Sequence, residues 1–371
     1  MILRSIEQEL KDRFFKGKAI VVLGPRQVGK TTLLKTLLAG RNHLFLNGDD
    51  PESRKVLEGV GTFGLKQLIG EHQLVFIDEA QRIDGIGLTL KLITDTFSEV
   101  QLLVSGSSAL ELRDRMQESL TGRKWEYRLY PISFHEFENH FGYLESERQL
   151  EQRIVFGMYP EVINHPGREK EVLKELTAGY LYKDILALTG IRKPELLERL
   201  LQALALQVGS EVSYNELAGL LGIDKGTVMA YIDILEKAFI VYRLRSFSRN
   251  QRNEIRNNRK IYFVDNGIRN MLISNFNPLA LRNDKGALWE NFLITERIKM
   301  QEYTHDYVNR YFWRNVQKQE IDYIEESDGK ITAFEFKWKL EKRKKFPASF
   351  LETYQAEGKY IDRDNFREFV G

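Results

Sequence analysis

The sequence contains no cysteine, which excludes disulfides and thiolate metal ligands and fits a reducing compartment. No apolar run approaches the roughly 20 residues that cross a bilayer, and no apolar signal core opens the sequence, so it reads as a cytoplasmic protein with no membrane partner. Neither sign of charge dominates, because 55 Lys and Arg stand against 53 Asp and Glu. The formal net charge of +2 therefore creates no whole-chain field that would announce nucleic acid, and any basic contact surface has to be local. The eight prolines are scattered. With no repeat and no low-complexity linker, domain boundaries must come from changes in pattern. At 371 residues and 42% apolar content the chain has material for two or three cores.

What is present is organised around residues 19–38, AIVVLGPRQVGKTTLLKTLL. Ala19 to Val22 form an uninterrupted apolar run, the pattern of a strand covered on both faces. Leu33, Leu34, Leu37 and Leu38 then recur at helical spacing. A strand, a glycine-bounded loop and a helix in that order are the context of a phosphate-binding loop, here Gly24, Pro25, Arg26, Gln27, Val28, Gly29, Lys30, Thr31 and Thr32. Gly24 and Gly29 would let the backbone turn tightly and approach phosphate oxygens, with the amides of the helix start behind them. Lys30 would reach the β- and γ-phosphates of ATP, Thr31 would place its hydroxyl on Mg²⁺, and Thr32 would serve the helix start or the α-phosphate.

Further strands supply the rest of a hydrolytic site. LVFIDEAQRI, residues 74–83, is a buried-type strand ending in Asp78 and Glu79, at the edge where open α/β sheets bind ligands. Asp78 would hold Mg²⁺ through its water shell, and Glu79 would orient or deprotonate the attacking water. VQLLVSGSSALEL, residues 100–112, is a third apolar strand. Ser105 or Ser107 would sit between the acidic and phosphate motifs, or Ser107 or Ser108 would cap the following helix. Asp49 and Asp50 either touch the metal region or start the next helix. Arg123, beside Gly122, would be a trans-acting finger in a neighbouring subunit or a solvated arginine. Residues 2–15 carry Ile2, Leu3, Ile6, Leu10 and Phe14 at the spacing of an amphipathic helix.

Residues 1–165 resemble the prokaryotic AAA-type ATPases (AAA_14) that pair GPRQVGKT with a DEAQ acidic motif, a GSS strand end, a GR segment, PISFHEF and GMYPEV. The resemblance implies an ATP-hydrolysing AAA domain, oligomeric assembly, and a carboxyl-terminal DUF4143 domain of unassigned role.

From about residue 195 the pattern changes to consecutive short helices. SYNELAGLLGI, a glycine turn and DKGTVMAYIDILEKAFI place Leu217, Leu220, Leu221, Val228, Tyr231, Ile232 and Leu235 where a helix-turn-helix buries its core, with VYRLRSF as the first strand of a wing. Such a winged helix would set Lys225 and Thr227 in a DNA major groove, or would pack internally. Residues 243–260 then hold Arg243, Arg245, Arg249, Arg252, Arg256, Arg259 and Lys260 against Glu254 alone, a run suited to phosphate contacts or to a solvated loop. Asp265 ends the next strand.

The last hundred residues carry a second constellation. Glu290 lies on a helix, Asp322 on the strand EIDYIEES, and Glu335 and Lys337 alternate on one face of ITAFEFKWK. In this order the four resemble the PD-(D/E)xK nuclease fold. Asp322 and Glu335 would hold Mg²⁺, Lys337 would activate water against a phosphodiester, and Glu290 would complete the metal shell. KWKLEKRKK, residues 337–345, adds positive charge.

The expected fold is therefore α/β: a P-loop, AAA-like parallel-sheet ATPase over residues 1–165, a helical linker and winged helix over 166–260, and a restriction-endonuclease-like α/β domain over 261–371. The expected activity is Mg-dependent ATP hydrolysis coupled to nucleic-acid binding or remodelling, DNA favoured, by a homo-oligomer. The alternative is a nucleotide-dependent switch that binds a protein partner and keeps an inert nuclease-like fold.

Overall fold

The structure is a computed structural model and describes residues 1–106, 120–179, 194–248, 259–315, 317–339 and 346–371. The chain divides into two compact units, Met1–Pro131 with Lys237–Phe239, and Ile132–Glu236 with Ile240–Gly371. No described helix is long and apolar enough to cross a membrane.

The first unit is built on a five-stranded parallel sheet of order β2-β3-β4-β1-β5, with β1 Ala19–Leu23, β2 Leu44–Asn47, β3 Leu74–Asp78, β4 Gln101–Gly106 and β5 Lys124–Arg128. Every residue of β1, β3 and β4 is buried. That is the condition of central parallel strands covered on both faces, and it explains their unbroken apolar runs. β4 lies between β1 and β3, so the loop after β1 and the acids ending β3 flank the end of β4 at one sheet edge. The helix Lys30–Leu38 buries Leu33, Leu34, Leu37 and Leu38, the four leucines of its apolar stripe. At the amino terminus the helix is only Glu7–Asp12, shorter than the periodicity over residues 2–15 predicts. Residues 2–5 lie outside it, with the Arg4 guanidinium bonded to the phosphate loop, and Phe15 turns the chain with a φ of 57°.

The second unit holds a seven-stranded mixed sheet of order β12-β11-β10-β9-β7-β8-β6. Its strands are β6 Glu211–Val212, β7 Val241–Ser246, β8 Arg259–Phe263, β9 Asn309–Arg314, β10 Glu320–Ser327, β11 Lys330–Phe336 and β12 Glu357–Ile361. The helix Lys285–Thr304 is buried around most of its circumference, through Leu288, Trp289, Phe292, Leu293, Ile294 and Ile298. The buried amide side chain of Asn291 bonds both backbone groups of Phe263, at 2.7 and 2.8 Å, so the helix is pinned to the end of β8.

Two boundaries differ from the sequence reading. The first compact unit closes at Pro131 rather than near 165, because PISFHEF and GMYPEV are built into the second unit. Ser133 caps the helix Phe134–Phe141 in a reciprocal box with Glu136, the Phe134 amide donates to buried Glu296 at 2.6 Å, and the Met158 amide donates to Asp265 at 2.7 Å. Nor does a sheet boundary fall at 260. β7, the expected first strand of a wing, pairs antiparallel with β8 and also parallel with β9, so it belongs to the same sheet as β10 and β11. The two helices of the proposed helix-turn-helix are Tyr214–Leu221 and Lys225–Lys237, separated by a left-handed Gly222. They bury Leu217, Leu221, Val228, Ile232 and Leu235, while Leu220 is exposed and Tyr231 half-buried.

Candidate functional site

The parallel sheet delivers its functional residues from three strand ends. After β1 the chain turns at Gly24, where a Cβ would stand 2.0 Å from the Leu129 carbonyl, so only glycine admits the backbone there. Gly29 enters the helix with a φ of 95°, a left-handed conformation that glycine adopts without strain. Between them Gln27 also has positive φ and Val28 is fully buried, which curls the loop around its own interior. The Lys30 ammonium folds back onto the loop, donating to the carbonyls of Pro25 at 2.7 Å and Gly24 at 3.1 Å. Burial lowers its pKa to about 8, against the opposing pull of Glu79 and Asp78. A triphosphate offers this desolvated cation the anionic partner that the carbonyls lack.

The acids meet the loop from β3. The Thr31 hydroxyl donates to both carboxylate oxygens of Asp78, at 2.9 and 3.1 Å. Ser105, fully buried in β4, donates its hydroxyl to Asp78 Oδ1 and accepts from the Glu79 amide at 3.2 Å. Both of these bonds run to the acidic motif. Glu79 follows the strand in a left-handed conformation, φ 49°, and Gln81 Nε2 donates to its Oε2 at 2.6 Å. A hydroxyl and a carboxylate converging at the start of a phosphate-loop helix are a fitting oxygen donor set for Mg²⁺.

Sequence reasoning missed Arg4. Its guanidinium, 8% exposed with the residue, donates to the carbonyls of Val28 at 2.7 Å and Tyr130 at 2.6 Å, tying the phosphate loop to the segment after β5. The signal available in sequence was a lone arginine among apolar residues, which nothing local distinguishes from a surface charge.

Other expected residues fall as follows. Asp50 caps the helix Pro51–Leu57, accepting from the amides of Glu52 and Ser53, so it starts the next helix. Arg123 is ion-paired with Asp95 at the surface of the first unit. Ser107 and Ser108, Arg249, Arg252, Glu254 and Arg256, and residues 340–345 of the basic tail lie outside the described residues. Within the arginine-rich run, Arg243 is engaged by Asp233 and Glu236, and Arg259 sits 5.5 Å from the centre of the Tyr214 ring. Lys260 is 1% exposed and faces inward, which removes it from the expected phosphate-contacting surface. Lys225 is exposed, whereas Thr227 is bound to Asp224 in the cap of its helix. Asp265 caps the helix Asn266–Leu272.

The carboxyl-terminal constellation also comes together. Asp322 lies in a break of register between Ile321 and Ile324 on β10, where a bulge re-aims side chains. Its Oδ2 accepts from the Phe336 amide at 2.8 Å. Lys337 Nζ lies 3.3 Å from Glu335 and 3.8 Å from Asp322. Glu290, on the central helix, accepts from the Tyr262 hydroxyl at 2.5 Å and from Lys260 Nζ at 3.1 Å. Burial pushes its pKa up to about 7 despite Lys260, with Asp322 adding to the rise. Lys260 and Tyr262 of β8 and Glu320 of β10 are members of this cluster that the sequence spacing did not disclose. Among the described residues, no group of three or more His, Asp or Glu is arranged to hold a metal ion.

Comparison with known proteins agrees with the first unit's architecture. Residues 16–138 match the family model described as an AAA domain, residues 147–279 a domain of unknown function (DUF8612), and residues 285–367 a domain of unknown function (DUF4143). An uncharacterized protein of Mycobacterium tuberculosis is 27% identical over 339 residues, covering 90% of this chain and 73% of its own length. One of Haemophilus influenzae is 26% identical over 275 residues, covering 67% and 68%. The Walker-type ATPase PABY2304 of Pyrococcus abyssi shares the fold, with a TM-score of 0.50 and 18% identity over 74% of this chain and 96% of that one. The chain thus matches the AAA_14 model toward its amino terminus and the DUF4143 model toward its carboxyl terminus, and it has relatives in bacteria and archaea.

Proposed function

We propose that this protein is a Mg-dependent ATP hydrolase whose nucleotide cycle drives binding or remodelling of a nucleic acid, DNA in the first place. The observation that carries the ATPase reading is the meeting of Thr31, Asp78 and Ser105 beside the buried ammonium of Lys30. Gly29 and the helix start would receive the phosphates, with Lys30 leaving its loop carbonyls for the β- and γ-phosphates. Thr31 and Asp78 would hold Mg²⁺, which neutralises charge developing on the triphosphate. Glu79 would orient or deprotonate water for in-line attack on the γ-phosphate, Gln81 holding its carboxylate in place. Arg123 would act in trans on a neighbouring subunit, exchanging Asp95 for the transferring phosphate.

The nucleic-acid part rests on the paired helices Tyr214–Leu221 and Lys225–Lys237, with Lys225 exposed, and on the arginines of residues 243–259. The rival reading, a nucleotide switch for a protein partner, draws support from the sequestration of Arg243 and Lys260 by carboxylates. The test is phosphate release by the purified chain with ATP and Mg²⁺, with and without duplex DNA. Turnover stimulated by DNA, with affinity falling steeply with salt and lost on replacing Arg249, Arg252 and Arg256 by alanine, supports the first reading. Turnover indifferent to nucleic acid supports the switch, and no turnover at all removes both. Sedimentation with ATP tests assembly, and a strictly monomeric chain would leave Arg123 without its trans role.

A further inference from the structure

The nuclease resemblance implies a divalent metal on Asp322 and Glu335, with Glu290 completing its shell. The side chains present do not fit that ion. Four carboxylates converge, from Glu290 of the central helix, Glu320 and Asp322 of β10 and Glu335 of β11, yet two ammonium groups already stand among them. Lys260 Nζ is 3.1 Å from Glu290 Oε1 and 2.6 Å from Glu320 Oε1, and its side chain is 1% exposed. The Phe312 ring closes over it, with its centre 5.5 Å away. Lys337 Nζ serves Glu335 and Asp322 from the other side. Further donors bear on two of the same oxygens: Tyr262 donates to Glu290 Oε1, and the Phe336 amide donates to Asp322 Oδ2. Mg²⁺ demands near-octahedral oxygen ligands at about 2.0–2.1 Å, and a buried ammonium held between Glu290 and Glu320 competes with such an ion for the same oxygens.

We infer that Lys260 is the resident cation of this cluster, standing where a catalytic metal would otherwise sit, so that the second unit engages its ligand without metal-dependent cleavage of phosphodiesters. The inference concerns the second unit only and is independent of ATP hydrolysis in the first.

The full-length chain, free of nucleotide, is titrated with Mn²⁺ by electron paramagnetic resonance in an Asp78→Asn background that silences the first unit's metal ligands. The expected curve shows no site sensitive to a further Asp322→Asn change. Lys260→Met in the same background should gain one Mn²⁺ per chain, bound at least tenfold more tightly than by its Lys260 parent, and Mn²⁺ should raise the melting temperature of this variant alone. A wild-type Mn²⁺ site weakened tenfold by Asp322→Asn would overturn the inference. So would Mg²⁺- or Mn²⁺-dependent nicking of plasmid DNA that disappears in Lys337→Ala, or a folded Lys260→Met that gains no metal. Should Lys260→Met fail to fold, the wild-type titration and the nicking assay decide by themselves.

Discussion

The Thr31 hydroxyl and the Asp78 carboxylate, 47 positions apart in the chain, lie 2.9 Å apart across the end of the parallel sheet. Neither residue needs the other for the fold, since β3 and the helix Lys30–Leu38 are each held by apolar burial. Their meeting follows from the strand order, which sets the ends of β1, β4 and β3 side by side.

If these two groups hold one ion, removing either should cost nearly as much as removing both. Thr31→Ala and Asp78→Asn should each lower Mg-ATP turnover by about 10²-fold or more, with the double variant little worse. Two losses that multiply, measured as turnover at saturating Mg²⁺, would show that the residues act separately.

Glu79 is assigned to the water and not to the nucleotide. Glu79→Gln should therefore keep ATP affinity while turnover falls by about 10²- to 10⁴-fold. Equilibrium binding of a fluorescent ATP analogue, alongside phosphate release, separates the two. A comparable loss of affinity would move Glu79 into the binding set.

Arg4 donates to two backbone carbonyls from outside the phosphate loop. Arg4→Met removes both of these bonds, at about 1–3 kcal/mol for a buried carbonyl that loses its donor. The thermal transition of the variant should fall and recover in part with ATP, because ligand binding favours the ordered loop. An unchanged transition would mean that water replaces the guanidinium at no cost.

Gly157 has a φ of 78°, and a Cβ there would stand 2.0 Å from Oδ1 of Asp265, which caps a helix and holds the Met158 amide. Gly157→Ala should destabilise by about 3 kcal/mol through combined backbone strain and loss of these bonds. The urea midpoint should drop with the slope unchanged, and a midpoint equal to wild type would contradict the contact.

Asp284 contributes to the pH dependence of stability. Burial alone would raise its pKa, but bonds from Arg282 and Arg269 hold it near 2, below its ordinary 3.8. Because the folded value lies below the unfolded one, the stabilisation is complete above pH 3.8 and is lost as pH falls toward 2. With the side chain 20% exposed, the shift corresponds to about 2 kcal/mol. Asp284→Asn should lower stability by that order at pH 7 and flatten its fall between pH 4 and 2, as read by urea unfolding.

The ATP-type site was legible in sequence because its parts are local. Strand, loop and helix are contiguous over residues 19–38, and the acids lie at the end of a second short motif. Apolar alternation likewise places Glu335 and Lys337 on one face. The partners of those residues were not legible. Lys260 stands in a run of arginines that reads as a solvated patch, and only the pairing of β8 and β10 within one sheet turns it inward onto Glu290 and Glu320. The motifs PISFHEF and GMYPEV follow the ATPase segment without a break in pattern, so nothing local assigns them to the second unit.

By itself, then, the sequence determined the parallel strands, the phosphate loop and the identity of the acids, since each depends on residue type at short separation. Tertiary structure alone decided which distant charges neutralise one another, where the first compact unit ends, and that Arg4 braces the loop. Those outcomes depend on strand order and register, and contacts between residues tens of positions or more apart leave no periodic trace along the chain.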